Sequence, residues 1–565
     1  MDWSSFFIRL TTYLARRIVL YMARISTALA LLALGLAAID ASAQNAPQTP
    51  TISVSTRLVQ VGVIARDRNG PVADLTRDDF VLLDRGKPQK ISVFSVESSK
   101  SSAQPTQPLP QNTFSDLPQY GAATPRSVTI VLLDNLNTLS GNGHEEYEDG
   151  PEWMEDLALA NAKAHLIQFI KTLDPKDRVA IYGLSETLHV VCDFTSDRDR
   201  LLTILKNYDT TSRTNREAAE PGGYHTPVPG REFNNNMDAQ ALEFAAATNE
   251  RRAIETMAAL QSIAAHVANI PGRKNLVWLT ANLPFSGAAL ARILVPAQIV
   301  AYPVDARGLL PRAVPTSADD VVASGSELSS VLGLDKSPAQ TDQPIGVDTM
   351  EKIAEDTGGR AFVNTNDVTS AIRKAVEDSA VTYTLGFYID PHSADGKFHE
   401  LKVQVKREGL TIHYPKAYLA AEDSPPTRDQ NWKTVVTAVQ SPVESSVIPL
   451  QAKVDRINQP LPNSLRLLCS IDIHNLRLVQ TGDLRRGAVH VYLIEQDGVG
   501  KVLRQWDKTY SLQLTEKQYS ALLKSGMPFS QDVQPKAGVT TLRVLIEDPA
   551  TAEVGSLIIP LSQVK

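Results

Sequence analysis

VTIVLLDNLNT, residues 128–138, is the stretch that decides how the rest of the chain is read. A continuous apolar run that closes on an aspartate, followed by polar loop-forming residues, is the pattern of a strand buried on both faces of a parallel sheet. Such a strand delivers Asp134 to the carboxyl edge of the sheet, the edge at which open α/β sheets bind ligands.

Working outward, Trp153, Leu157, Ala160, Ala164 and Ile167 recur at helical spacing, and Asp174-Pro175 ends that helix. Arg178 to Leu184 and Leu188 to Phe194 read as short strands of an antiparallel hairpin at one sheet edge. Asp197 to Tyr208 reads as a short helix, and 209–238, rich in Gly, Pro, Asn and Thr, as an exposed loop. Ala239 to Ile270 is a long amphipathic helix whose inner face carries Leu242, Ala246, Ile254, Met257, Leu260, Ala264 and Val267, stopped by Pro271-Gly272. Asn275 to Leu283 and Gln298 to Val304 are buried strands. A helix at Thr349 to Thr357, a strand at Ala361 to Val363, a helix at Val368 to Asp378 and a strand at Thr382 to Tyr388 complete the unit. This alternation over 127–390 predicts an α/β fold with a doubly wound, mostly parallel sheet.

The flanks differ in period. Residues 51–97 alternate as half-buried strands, with Leu58, Gln60, Gly62 and Ile64 on one face and Val59, Val61, Val63 and Ala65 on the other. They predict a small β domain, followed by a linker over 98–126 rich in Ser, Gln, Pro and Thr. Residues 397–420 read as a β extension of the α/β unit. In 425–565, Leu465, Leu467, Cys469, Ile471 and Ile473 alternate with mostly polar residues, and similar runs follow, which predicts a β-sandwich. Thr515 to Lys524 is one short helix within it.

At 565 residues the chain is too long for one core. Arg16, Arg17 and Arg24 precede the apolar run Ile25 to Ile39, and Ala41-Ser42-Ala43 supplies a small-residue cleavage site, so 1–43 reads as a secretory signal peptide. The run is shorter than the roughly 20 residues a spanning helix needs; an uncleaved anchor is the alternative, as Ile18 to Ala23 adds apolar length before Arg24, and no other transmembrane segment is expected. Initiation at Met22 would leave a signal of conventional length. The first 43 residues carry four arginines and two aspartates, so their removal takes the net charge from −7 to −9. A mildly acidic exported chain, periplasmic or extracellular, is a poor partner for nucleic acid or anionic membrane. Cys192 and Cys469 fall in different predicted domains, and two buried free thiols account for them better than a bridge.

Several segments together resemble the bacterial exported family of acidobacterial-type VWFA-related proteins. They are VIARDRNGPVADLTRDDFVLLDRGKPQKISVF, VTIVLLDNLNT, DRVAIYGL, GRKNLVWLTANLPF, VAYPVDARGL, TMEKIAEDTGGRAF and YTLGFYID with KFHELKVQVKREGLTIHYPKAYLA, spread over about residues 55 to 420. The resemblance implies a Rossmann-like von Willebrand factor type A (vWA) unit between β-rich flanks. It also implies a place for a divalent cation, where Asp-x-Ser-x-Ser, a threonine from a second loop and an aspartate after a later strand supply the ligands. Hydroxyl and carboxylate oxygens suit Mg²⁺ or Ca²⁺. Here Asp134 and Thr138 match, whereas Leu136 replaces a hydroxyl and Ala281 stands in place of the later aspartate. Thr210, Thr211, Thr214 and Thr226 all compete for the second-loop position.

The loop after Thr138 brings His144, Glu145, Glu146, Glu148, Asp149, Glu152, Glu155 and Asp156 towards the same edge. A solvated acidic loop leading into a helix amino terminus accounts for that composition, and substitute carboxylates for the cation are the alternative. His144-Glu145-Glu146 lacks the helical ligand pair of a zinc protease. Nor does the sequence hold a Gly-x-Ser-x-Gly elbow, a Walker loop or a Gly-x-Gly-x-x-Gly after a strand, and Gly358-Gly359 reads as a helix carboxyl cap. The expectation is therefore a non-enzymatic exported protein that binds a protein partner, with no cofactor and a degenerate cation site. The alternatives are Mg²⁺- or Ca²⁺-dependent adhesion through Asp134 and Thr138, and a hydrolase whose catalytic residues are not locally clustered.

Overall fold

The computed structural model describes residues 57–98, 109–117, 127–138, 153–174, 177–208, 235–270, 273–281, 283, 287–306, 346–365, 367–378, 380–390, 393–421, 424–459 and 461–565. The signal segment, the acidic residues from His144 to Glu152 and the four competing threonines lie outside the described residues.

The elements of the α/β unit are numbered here from its own start. Its strands are β1 (Ser127–Asp134), β2 (Val179–Leu184), β3 (Leu188–Thr195), β4 (Arg273–Thr280) and β5 (Ile299–Asp305), in the order β3-β2-β1-β4-β5. All neighbours run parallel except β3, which turns back on β2 as the expected hairpin. A parallel bridge from Val304 to Phe362 extends the sheet beyond β5. Every residue of β2, β4 and β5 is buried, as apolar strands covered on both faces require.

After the single helical turn Asn135–Thr138, its helices are α1 (Trp153–Lys171), α2 (Arg198–Asn207), α3 (Asn235–His266), α4 (Gly287–Leu294), α5 (Val347–Thr357) and α6 (Val368–Glu377). On one face Ile130, Leu132, Tyr182, Trp278 and Ala301 pack with residues of α3, α4 and α5. On the other, Val131, Leu133, Ile181, Val277 and Tyr302 pack with α1, α2 and α6. Gly358 caps α5 at φ 79°, the left-handed conformation that glycine adopts without strain.

One expected helix stripe is displaced, and another departs at a single residue. In α1 the buried residues are Ala162, Leu166, Phe169 and Ile170, while Ala160 and Ala164 are exposed. In α3 the expected Met257, Leu260 and Ala264, with Val267 just past its end, do pack into the core, whereas Ile254 is 46% exposed and Ala253, Thr256 and Ile263 are buried instead. Alanine-rich helices leave the apolar arc ambiguous by one position, and the larger side chains decide where it settles.

Residues 57–98 do not form a separate domain. The strand Arg57–Asp67 pairs antiparallel with Val381–Ile389 and with Thr411–His413. The strand Phe80–Asp84 pairs with Phe398–Val405, and Val93–Ser98 with Val381–Ile389. The strand at 381–389, expected in the α/β sheet, therefore belongs here. So does the segment 397–420. Together they enclose one core of Val61, Val63, Phe80, Leu82, Tyr383, Phe387, Leu401 and Val403. Alternation specifies a strand's faces but not its partner, so the α/β unit stands as an insertion between two halves of one β unit.

The linker expected over 98–126 is also structured in part. Thr113–Ser115 pairs with Leu450–Ile457, and the buried Asp116 accepts from the Leu450 backbone N–H at 3.0 Å. In the carboxyl-terminal region two antiparallel sheets share one core, with Leu465, Leu467, Cys469 and Ile471 facing Val489, Val491, Val544 and Leu557. The short helix is Glu516–Ser525, capped by Thr515. A second helix, Arg428–Gln440, lies against that region through Val435 and Ala438. Cys192 and Cys469 are both buried and free.

Candidate functional site at the sheet edge

The carboxyl edge gathers one row of residues from three strands. Asp134 and Thr280 follow the paired Leu133 and Leu279, and Thr280 pairs with Asp305. Residues in line across a parallel sheet face the same side, here the side covered by α3, α4 and α5. All three are buried.

Asp134 is wholly enclosed and held by four donors. Its Oδ2 accepts from Asn137 Nδ2 at 2.8 Å, Trp278 Nε1 at 2.8 Å and Thr280 Oγ1 at 3.0 Å. Its Oδ1 accepts from the Asn137 backbone N–H at 2.9 Å. Burial pushes the carboxyl above its usual pKa, and these donors act against that. Asn137 Nδ2 also donates to Thr256 Oγ1 at 2.9 Å, and Thr256 in turn donates to the Arg252 carbonyl at 2.8 Å. Arg252 is 8% exposed; burial lowers its pKa and the charge on Asp134 opposes that.

Thr138 sits one helical turn beyond Asp134 and donates its hydroxyl to the Asp134 carbonyl at 2.6 Å. Leu136 packs against the apolar core, and Ala281 is buried. The two residues expected to hold a cation are therefore adjacent, but the carboxylate oxygens already carry protein donors. Asn137 Oδ1 is buried with no hydrogen-bond partner among the described residues. It is a hard oxygen of the kind Mg²⁺ or Ca²⁺ accepts. Among the described residues no three His, Cys, Asp or Glu side chains come together as a metal-binding group.

Asn137, Thr256, Trp278, Thr280 and Asp305 escape a reading of the sequence alone. Asp305 carries the same signal as Asp134, an aspartate closing an apolar run, one residue beyond the expected strand end. The others depend on which strands become neighbours.

No family model matches the chain, and no curated protein matches it. Solved structures are similar at a low level. An aerotolerance-related membrane protein from Bacteroides fragilis is 13% identical, over 45% of this chain and 97% of that one, with a TM-score of 0.24. A von Willebrand factor type A structure from Catenulispora acidiphila is 10% identical, over 83% and 73%, at 0.22. A pilus adhesin, SpaC, from Lactobacillus rhamnosus GG is 8% identical, over 85% and 58%, at 0.21. Scores of this size leave the fold to be argued from the strand order and register described above.

Proposed function

We propose that the chain is an exported, non-enzymatic binding protein, periplasmic or extracellular, whose vWA-like α/β unit meets a protein partner at its carboxyl edge without needing a cation. The observation that carries this reading is the Asp134 carboxylate, closed off by Asn137, Trp278 and Thr280. Neutral donors already satisfy it, so the edge holds its shape with no metal. Among the described residues no helix is long and apolar enough to cross a membrane.

Asn137 Oδ1, buried and without a partner among the described residues, favours a second reading, in which Mg²⁺ or Ca²⁺ enters beside Asp134 and Thr138 and the protein is a metal-dependent adhesin. Capture of partners from envelope extract by the exported protein, with and without chelator, separates the two. Equal recovery of the same partner supports the first, and recovery only with divalent cation supports the second. Turnover in a hydrolase substrate screen would refute both. The exported protein is expected to begin at Gln44 on amino-terminal sequencing, and a mature chain retaining Arg24 would reverse the assignment of 1–43 as a cleaved signal.

A further inference from the structure

Where the β unit meets the opposite, amino edge of the α/β sheet, cations outnumber anions. Asp378, at the carboxyl end of α6, has a side chain only 2% exposed. Arg66 donates to its Oδ1 at 2.6 Å, and Arg360 donates to both oxygens at 3.0 Å. Tyr302 donates to Oδ2 at 3.2 Å and accepts from Arg273 at 2.8 Å. Two guanidinium groups thus share a single carboxylate directly, and a third reaches it through Tyr302. The first two contact the same oxygen, so their nitrogens lie within two hydrogen-bond lengths of each other.

The surplus is felt nearby. His413 pairs with Ile64, two residues from Arg66 on one strand, so His413 and Arg66 face the same side. Burial pushes His413 below the ordinary histidine pKa, and the charges of Arg360, Arg273 and Lys416 add to that against Asp378 alone. Arg360 Nε is buried and without a hydrogen-bond partner among the described residues. Yet the Arg66 and Arg360 side chains remain 22% and 34% exposed, so the cluster opens to solvent.

Like charges held this close repel, and two guanidinium groups sharing one carboxylate leave positive charge over. An oxyanion offsets that surplus, because the planar fork of arginine matches the oxygens of phosphoryl and carboxylate groups. We infer that this joint is an oxyanion-binding site in which Arg66 and Arg360 grip a phosphoryl or carboxylate group and Lys416 adds long-range attraction.

The test uses the full chain in thermal denaturation, with inorganic phosphate or succinate titrated at constant ionic strength against chloride. A saturable rise in Tm with either anion is expected, since a ligand of the folded state alone stabilises it by mass action. A response to phosphate alone assigns a phosphoryl ligand, and one to succinate alone a carboxylate. Lys416→Met, which leaves the Asp378 contacts intact, should weaken the anion by about fivefold, the size of one partly screened charge. Arg360→Lys keeps the charge but loses the fork, and should weaken it by about tenfold or more. The imidazole signal of His413, assigned by His413→Gln, should titrate at higher pH once the anion is bound. Failure of both anions to stabilise the protein would overturn the inference, as would a response unchanged in Lys416→Met and Arg360→Lys.

Discussion

Asp134 and Asp378 lie at opposite edges of one sheet, equally buried and differently held. Asp134 is met mainly by neutral groups, an indole, a hydroxyl and an amide, with Arg252 acting through space. Asp378 is met by two guanidinium groups directly and by a third through Tyr302. The first arrangement fixes the shape of an edge while adding no charge there. The second locks two units together and leaves positive charge over. A buried carboxylate therefore indicates a cation site only when its oxygens are free, and the surplus around it says as much as the acid itself.

The largest effect should come from Asp378→Ala, which leaves facing cations with no counter-charge. Breaking a buried ion pair on one side costs about 3–5 kcal/mol, read by urea denaturation, and phosphate should recover part of the loss. A loss below about 1 kcal/mol would show that the ionic joint is not a stabilising feature. Asp134→Ala comes next, because it strands Trp278 Nε1, Thr280 Oγ1 and both Asn137 donors. Each buried unsatisfied donor costs about 1–3 kcal/mol, and partial relaxation brings the expected total to about 3 kcal/mol. The native carboxyl binds its proton more tightly than the unfolded one. Its contribution to stability therefore declines as pH rises from the ordinary aspartate pKa through the raised native one, a slope that Asp134→Asn should remove.

Asp193 offers an intermediate case, a carboxylate met by a titratable partner. His266 Nε2 lies 3.6 Å from Asp193 Oδ1, and its ring stacks on Phe194. Burial alone would lower the pKa of His266, but Asp193 and then Glu444 outweigh it, and the net direction is upward. The stabilisation is then complete below the unfolded value of 6.5 and fades as pH rises through the native pKa. His266→Gln should flatten stability against pH in that window, and an unchanged curve would remove histidine charge from this contact. The smallest effect is expected from metal. Millimolar Mg²⁺ or Ca²⁺ should leave Tm nearly unchanged, because the oxygens of Asp134 are already occupied. A saturable rise abolished by Asp134→Asn would break the contrast between the two edges.

The strand at 128–134, the hairpin of β2 and β3 and the cap at Gly358 were legible because each is written in local pattern. The place of Val381–Ile389 was not. Its alternation suits either sheet, and only tertiary packing chooses. The same limit hid the site: Trp278 and Thr280 stand in a strand read correctly as buried, but their hold on Asp134 depends on β4 lying beside β1. Arg66 and Arg360 are further removed still, since their meeting at Asp378 requires the β unit to close around the insertion.

That closure has a consequence for the history of each molecule. The strand Arg57–Asp67 emerges early in synthesis and must wait more than 300 residues for Val381–Ile389, its partner in the sheet. A chain that long closes slowly and exposes an unpaired apolar strand meanwhile. Once the inserted α/β unit has folded, Ser127 and Asp378 leave it at the same edge, and the long search becomes a short one. The insertion then acts as the assembly jig for the unit that surrounds it, and lesions in the β1–β4 core should surface first as failures of the outer strands to pair.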